Sequence, residues 1–339
     1  MSWLILILIG LLPMLFSAIS TGFFLKFLQK KNIFDRPNTR SSHKTPTPRG
    51  GGIPVIFIII ITWVFLYFSH YGFNEGNTFW IVVGGILMLA VISWIDDIKG
   101  GVSPVLRLCV QVLVVSLSII FLNDDAIVFQ GLIPVWADHL VLSLLWVWFI
   151  NLFNFMDGID GIAGIKVITI GVGVFLLSLC SDSLSPLGLH GLSIASVAIG
   201  FLLWNWQPSK IFLGDVGSIP LGYLIGWLLI YIATNGYWIE ALLLPAYYFA
   251  DATITLIRRL MGGNKPWIAH REHAYQVAVT HGMSHAKVSL MIGLVGMFLV
   301  GLALIVNVGE ILPWVGLTLG AILVLVFIYY LQIRRIAKN

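Results

Sequence analysis

The chain has 339 residues, 59% of them hydrophobic and only 10% charged, with a formal net charge of +4. A soluble globular domain carries roughly a quarter charged residues. With a mean hydropathy of +0.97, the composition therefore excludes a soluble enzyme and predicts an all-α, polytopic membrane protein without a nucleic-acid partner.

In chain order, the first apolar stretch runs from Trp3 to about Leu25. No basic residue precedes it, it has no small-residue cleavage pattern, and Lys26, Lys30 and Lys31 follow it. It reads as a retained helix rather than a leader. Further apolar runs are centred near residues 61, 87, 113, 144, 171, 196, 225, 247, 297 and 321. At about 20 residues per span this makes about eleven transmembrane helices. Pro104 opens the fourth run and Pro245 lies within the ninth; proline in a membrane helix commonly produces a kink, and ordinary packing is an equal reading of Pro245. The two cysteines, Cys109 and Cys180, fall in separate runs, which suggests buried small hydrophobes rather than a disulfide or a thiolate metal site.

Alternating the linkers between two sides places all 19 Lys and Arg on one side, Lys166 included. The positive-inside rule makes that side cytoplasmic, with the N-terminus outside and the C-terminus inside. The opposite linkers are short and plain. Function is therefore expected in the cytoplasmic loops near 26–52, 96–103, 154–162, 205–217 and 258–286 of a single integral-membrane domain.

Those loops hold the acidic islands: Asp96 and Asp97 in "WIDDIKG", Asp157 and Asp160 in "NFMDGIDG", and Asp215 in "FLGDVGS". Each has an ordinary reading as a helix cap or a glycine-rich turn. Carboxylates are unfavourable at a helix C-terminus, however, so the pair closing the third run calls for another reason to be there. If the turn is helical, the i, i+3 spacing puts Asp157 and Asp160 on one face. "GDVGS" fits a helix start with Asp215 as N-cap. Five carboxylates brought together would repel one another without a cation, and hard oxygen donors suit Mg²⁺, with Mn²⁺ as the other fit. The basic residues on the same side, Arg36, Arg40, Lys44, Arg49, Arg107, Arg258 and Arg259, offer phosphate partners or serve as topological anchors. In "AHREHAYQ", His270, Arg271 and His273 add groups that bind phosphate or move a proton near neutral pH. A metal with cations at a membrane surface points to phosphoryl transfer.

Five segments in this order carry a resemblance: "DRPNTRSSHKTPTPRGGG" (Asp35 to Gly52), the Asp96–Asp97 pair, "NFMDGIDG", "FLGDVGS" and "AHREHAYQ". The chain resembles the polyprenyl-phosphate N-acetylhexosamine-1-phosphate transferases, which include the lipid I synthase of peptidoglycan assembly and the initiators of O-antigen and enterobacterial common antigen. The first loop looks closest to the O-antigen initiators, and the triple-histidine form typical of the lipid I synthase is absent. The resemblance implies a multi-pass enzyme of the bacterial inner membrane with its site facing the cytoplasm. Its implied reaction joins a UDP-N-acetylhexosamine to undecaprenyl phosphate and releases UMP. It also implies a magnesium shell from Asn154 and Asp215, with Asp157 and Asp160 on the nucleotide side and Phe212 against uracil. Asp96 and Asp97 would orient or deprotonate the lipid phosphate. Arg107, His270, Arg271 and His273 would clamp the diphosphate, Lys44 and Arg49 would close the first loop, and a homodimer is compatible with the family. Two other classes fit the acids: an ion-coupled transporter, and an inactive relative that only binds lipid. Against the transporter, no ladder of ionisable residues crosses the middle of the runs.

Overall fold

The computed structural model describes residues 3–37, 45–69, 71–72, 76–122, 127–264 and 270–336. The protein is a polytopic all-α membrane protein. Its helices are α1 (Trp3–Lys30), α2 (Gly52–Phe68), α3 (Gly76–Lys99), α4 (Pro104–Ile120), α5 (Val135–Phe155), α6 (Ile162–Cys180), α7 (Gly188–Asn205), α8 (Asp215–Thr234), α9 (Trp238–Leu243), α10 (Ala246–Met261), α11 (Ala274–Thr280), α12 (His285–Asn307) and α13 (Pro313–Ile336). Among the described residues, eight helical segments are long and apolar enough to cross a membrane, while α2 and α4 are apolar but shorter. Each expected apolar run is helical, and the ninth is divided into α9 and α10 at Pro245.

Helix α8 is the hub, with all but a few of its residues buried. It packs against α3 and α5. The Trp146 indole of α5 donates to the Tyr223 carbonyl at 2.9 Å and stacks on its ring at 4.9 Å. The Tyr223 hydroxyl meets Ser118 Oγ of α4 at 2.6 Å. These tyrosine and tryptophan polar ends are satisfied inside an apolar bundle, as burial in lipid demands. Helices α1, α4 and α13 turn long rows of Leu, Ile, Val and Phe outward, the lipid-facing counterpart of a helix apolar all round. Cys109 and Cys180 belong to that exposed surface, which corrects the expectation that they are buried; in lipid, an outward apolar position satisfies the same preference.

Two local expectations are also corrected. Lys166 is not a linker residue: it lies inside α6 and is 1% exposed. The loop from Asp157 to Gly161 is not a helical turn, and Gly161 takes φ 77° at its end. A short antiparallel pair, β1 (Phe34–Asp35) and β2 (Thr47–Pro48), aligns Phe34 with Pro48 and Asp35 with Thr47. It leads the first loop back to the bundle.

Candidate active site

The site is assembled where the start of α2 meets the start of α8. Phe212 N–H donates to the Pro48 carbonyl at 2.8 Å. The amides of Gly50 and Gly51 donate back to the Phe212 carbonyl, and that of Gly52 to Leu213. "RGGG" thereby lies along "IFLG" as an extension of β2. The approach requires glycine: a Cβ on Gly52 would stand 2.2 Å from the Gly217 Cα. Gly214 needs it too, at φ 77° with Asp97 Oδ2 only 2.7 Å from where a Cβ would sit. Small residues here bring Arg49 to the N-terminus of α8.

Arg49 and Arg107 bind three carboxylates there. Arg49 Nε is 2.9 Å from Asp97 Oδ1, and its Nη2 is 2.5 Å from Asp215 Oδ1. Arg107, in the first turn of α4, reaches Asp96 Oδ2 at 2.8 Å and Asp215 Oδ2 at 2.9 Å through one nitrogen. Asp215 thus has each oxygen on a different guanidinium. Asp97 also accepts the amides of Asp215 at 3.3 Å and Val216 at 3.0 Å. It is therefore Asp97, not Asp215, that caps α8, which corrects the reading of Asp215 as N-cap. This also explains the acids at the end of α3: the negative end of that helix is opposed by the positive end of α8. Asp96 Oδ1 accepts from the Val102 amide at 3.0 Å, closing the turn into α4.

The two acids of "NFMDGIDG" separate. Asp160 is buried, and its carboxylate accepts from Ser209 Oγ at 2.9 Å and faces His285 Nδ1 at 3.3 Å. Burial raises its pKa, but His285 and Ser209 outweigh that and hold it below the usual carboxylate range. It fastens the loop to Ser209 and to the start of α12. Asp157 is half-buried; its amide donates to the Asn154 carbonyl at 3.2 Å, while its carboxylate forms no hydrogen bond or salt bridge among the described residues. Its pKa is pushed up to about 7 by burial, with Asp215, Asp97 and Asp160 adding to the rise and Arg49 opposing it. Asp157 therefore shares its electrostatic field with the arginine cluster. At the end of α5, Asn154 Oδ1 accepts from Ser218 Oγ of α8 at 2.8 Å.

The histidine loop is built on α10. Asp251 accepts from Tyr247 Oη at 2.9 Å and from the Ala274 amide at 2.8 Å, and so caps α11. His273 is buried 3.8 Å from the same carboxylate. The His270 and His273 rings lie 4.8 Å apart. Burial, His273 and Arg259 lower the His270 pKa to about 4, so this ring is neutral at pH 7. Arg259 pairs with Glu272. Arg271 is half-buried between the two histidines. Tyr275 ties the arm to the acidic loop: its hydroxyl donates to the Phe155 carbonyl at 3.0 Å and lies against Gly158. No hydrogen bond or ion pair joins His270 or His273 to Asp96, Asp97 or Asp215 among the described residues.

The structure thus gathers Asp96, Asp97, Asp215, Arg49 and Arg107, with Asp157 and Asn154 beside them. It places Phe212, half-buried, at the seam through its backbone, and sets Asp160 and the histidines in supporting positions. Lys44 and Arg40 lie outside the described residues. Sequence reasoning passed over Ser209, Ser218, Asp251, Tyr275 and His285 as site supports. Of these, Tyr275 inside "AHREHAYQ" and Ser218 at the end of "FLGDVGS" had a visible signal. For a divalent cation, the donors at this point are all hard oxygens, but no three acid, histidine or cysteine side chains form a ready ligand set among the described residues. That suits an ion which takes one or two carboxylates and completes its shell with substrate phosphates and water.

Residues 79–233 match the model of glycosyl transferase family 4. The phospho-N-acetylmuramoyl-pentapeptide-transferase of Streptococcus uberis is 28% identical over 271 residues, covering 73% of this chain and 78% of that protein. The undecaprenyl-phosphate alpha-N-acetylglucosaminyl 1-phosphate transferase of Escherichia coli K12 is 24% identical over 339 residues, covering 96% and 90% respectively.

Proposed function

We propose a specific reaction for this chain from the premise that it belongs to the polyprenyl-phosphate hexosamine-1-phosphate transferase superfamily. It transfers N-acetylhexosamine-1-phosphate from a UDP-sugar to undecaprenyl phosphate, and this step initiates a surface polysaccharide of the O-antigen kind. An oxygen of the lipid phosphate attacks the sugar-bearing phosphorus of the donor. The bond from that phosphorus to the bridging oxygen breaks, and UMP leaves with that oxygen and its electron pair.

The observation that carries the reading is the Arg49–Asp215–Arg107 bridge at the start of α8, with Asp97 and Asp96 on its flanks. Two guanidiniums held side by side form a site for a diphosphate, and Asp215 holds them in place until a phosphate competes. Mg²⁺ is the cofactor that the donors fit, with Asp215 and Asn154 as its protein ligands. When bound it would neutralise charge building on the transferred phosphate. Asp157, with a pKa of about 7, is suited to take the remaining proton of a lipid monophosphate, whose second ionisation lies near a pKa of about 6. Asp96 and Asp97 then orient rather than accept protons, because their oxygens are already engaged. Phe212 is the stacking partner for uracil, and Arg271 reaches for the outer phosphate.

The acceptor's chain has room in the same helices. An apolar cavity of about 240 Å³ lies between α5, α8, α9 and α10, lined by Leu142, Trp146, Phe149, Leu229, Leu242 and Phe249. Helices α5 and α8 also carry Asn154 and Asp215, so a polyprenyl chain lying along them would deliver its phosphate to the charged end. Release of UMP by the purified protein from UDP-N-acetylhexosamines, with and without undecaprenyl phosphate and Mg²⁺, tests the reading. Release requiring both lipid and metal is expected; conversion independent of the lipid would remove it.

A further inference from the structure

Lys166 is the one lysine buried inside the helices among the described residues, at 1% exposure. An ammonium in a membrane helix is costly and calls for a role, and neither charge pairing nor the proposed chemistry uses it. Its Nζ donates to the Leu244 carbonyl at 2.6 Å and stands 5.6 Å from the centre of the Tyr248 ring. Leu244 is the last residue before Pro245, at the break between α9 and α10. None of the backbone amides among the described residues donates to its carbonyl, so Lys166 supplies the partner that the broken helix lacks. One turn further, Tyr248 Oη donates to the Ile162 carbonyl at 3.1 Å. Two bonds therefore staple the start of α6 to the start of α10.

These helices carry the two halves of the site. Helix α6 begins at Ile162, directly after the Asp157–Gly161 loop. Helix α10 carries Asp251, which caps α11 and thereby fixes His273 and Tyr275. Tyr275 returns to the Phe155 carbonyl, on the near side of Asp157. The connections close into a ring running from Lys166 through Leu244, α10, Asp251, α11 and Tyr275 back to the acidic loop.

We propose that Lys166 is a positioning residue for the transfer reaction, clamping the α9–α10 break so that the histidine arm is held against the Asp157 loop. The role rests on the transferase reading but is measurable without it. Lys166→Met keeps the side chain's apolar stem as far as Cε and removes the buried charge, so a packing role predicts equal or greater thermal stability. Under the clamp, Lys166→Met lowers kcat for UMP release roughly tenfold or more, since small misplacements of reacting groups cost that much. The KM for the UDP-sugar stays within about twofold of wild type on the same ground, and amide hydrogen exchange in residues 270–280 rises. Unchanged exchange with unchanged kcat would overturn the proposal. If Lys166→Met does not fold, Tyr248→Phe removes the parallel bond without touching a charge, and the same two readouts decide. A wild-type protein that releases no UMP would defeat the transferase reading, whereas exchange in Lys166→Met would still decide whether the clamp exists.

Discussion

Replacing Arg49 tests the electrostatic core of the site most directly. Its guanidinium makes two charge-assisted contacts, to Asp97 at 2.9 Å and Asp215 at 2.5 Å, with 34% of the side chain exposed. A hydrogen bond to a charged group is worth about 1.5–3 kcal/mol when sheltered. Solvent screening at this exposure brings each contact down to about 1 kcal/mol. Arg49→Met should therefore destabilise the protein by about 2 kcal/mol, and Arg49→Lys by about half of that, because a point ammonium cannot bridge both acids. Asp97 keeps two backbone amides when Arg49 is lost, so its buried charge is not stranded. The assay is detergent-induced unfolding of wild type, Arg49→Met, Asp97→Asn and the double variant, read as a double-mutant cycle. A coupling energy of about 1 kcal/mol is expected; one below about 0.3 kcal/mol would mean that the two sites are independent and would refute the bridge as a stabilising element. UMP release should fall in both Arg49 variants, further in Arg49→Met.

Asp215→Asn should lower turnover by about a hundredfold or more, as for loss of a group that stabilises transition-state charge. It should also lower the thermal midpoint, since Arg49 and Arg107 lose their shared partner; an unchanged midpoint would contradict that pairing. Asp160→Asn should weaken stability more than donor KM, because Asp160 fastens the loop to Ser209 and His285; the reverse pattern in kinetics and melting would make it a substrate contact. His270 has a folded pKa of about 4, below its ordinary value, so the folded state binds fewer protons between about pH 6.5 and 4. Stability should consequently decline as pH falls through that window, and His270→Gln should flatten the decline in a pH series of melting curves. Single-cysteine labels at Asn77, at the start of α3 and away from Asp96 and Asp97, and at Gly263, just after α10, should react from the outer and inner sides respectively; the opposite labelling would invert the site's exposure to nucleotide.

The helical runs were legible because lipid imposes one demand on every span, that backbone polar groups be satisfied within the segment. The break at Pro245 was legible only as one of two equal readings, a kink or ordinary packing. Lys166 was misplaced because counting charges by linker assumes that a lysine near a helix end lies outside it, whereas this one turns inward to a carbonyl exposed by the break. The separation of Asp157 from Asp160 was not legible, because spacing implies a shared face only in a helix and this loop is not one. Their distinct environments come from Ser209, Arg49 and His285, which lie far away in sequence.

The five acids posed a question of charge balance, and the expected answer was a metal. The structure balances three of them, Asp96, Asp97 and Asp215, with Arg49 and Arg107 instead. These two answers can operate in sequence. On the proposed reaction, the donor diphosphate would have more negative charge to offer the guanidiniums than Asp215 does, and its binding would be linked to release of the Asp215 oxygens. A carboxylate released in this way is where a hard cation gains a ligand, and Asp157 nearby gains from any added positive charge because its pKa lies close to neutrality. It follows that Mn²⁺ should bind the purified protein more tightly with UDP present than without it. Calorimetric titration of Mn²⁺ in the two conditions measures this directly. Equal affinity would show that Asp215 serves the cation independently of the arginines that hold it here.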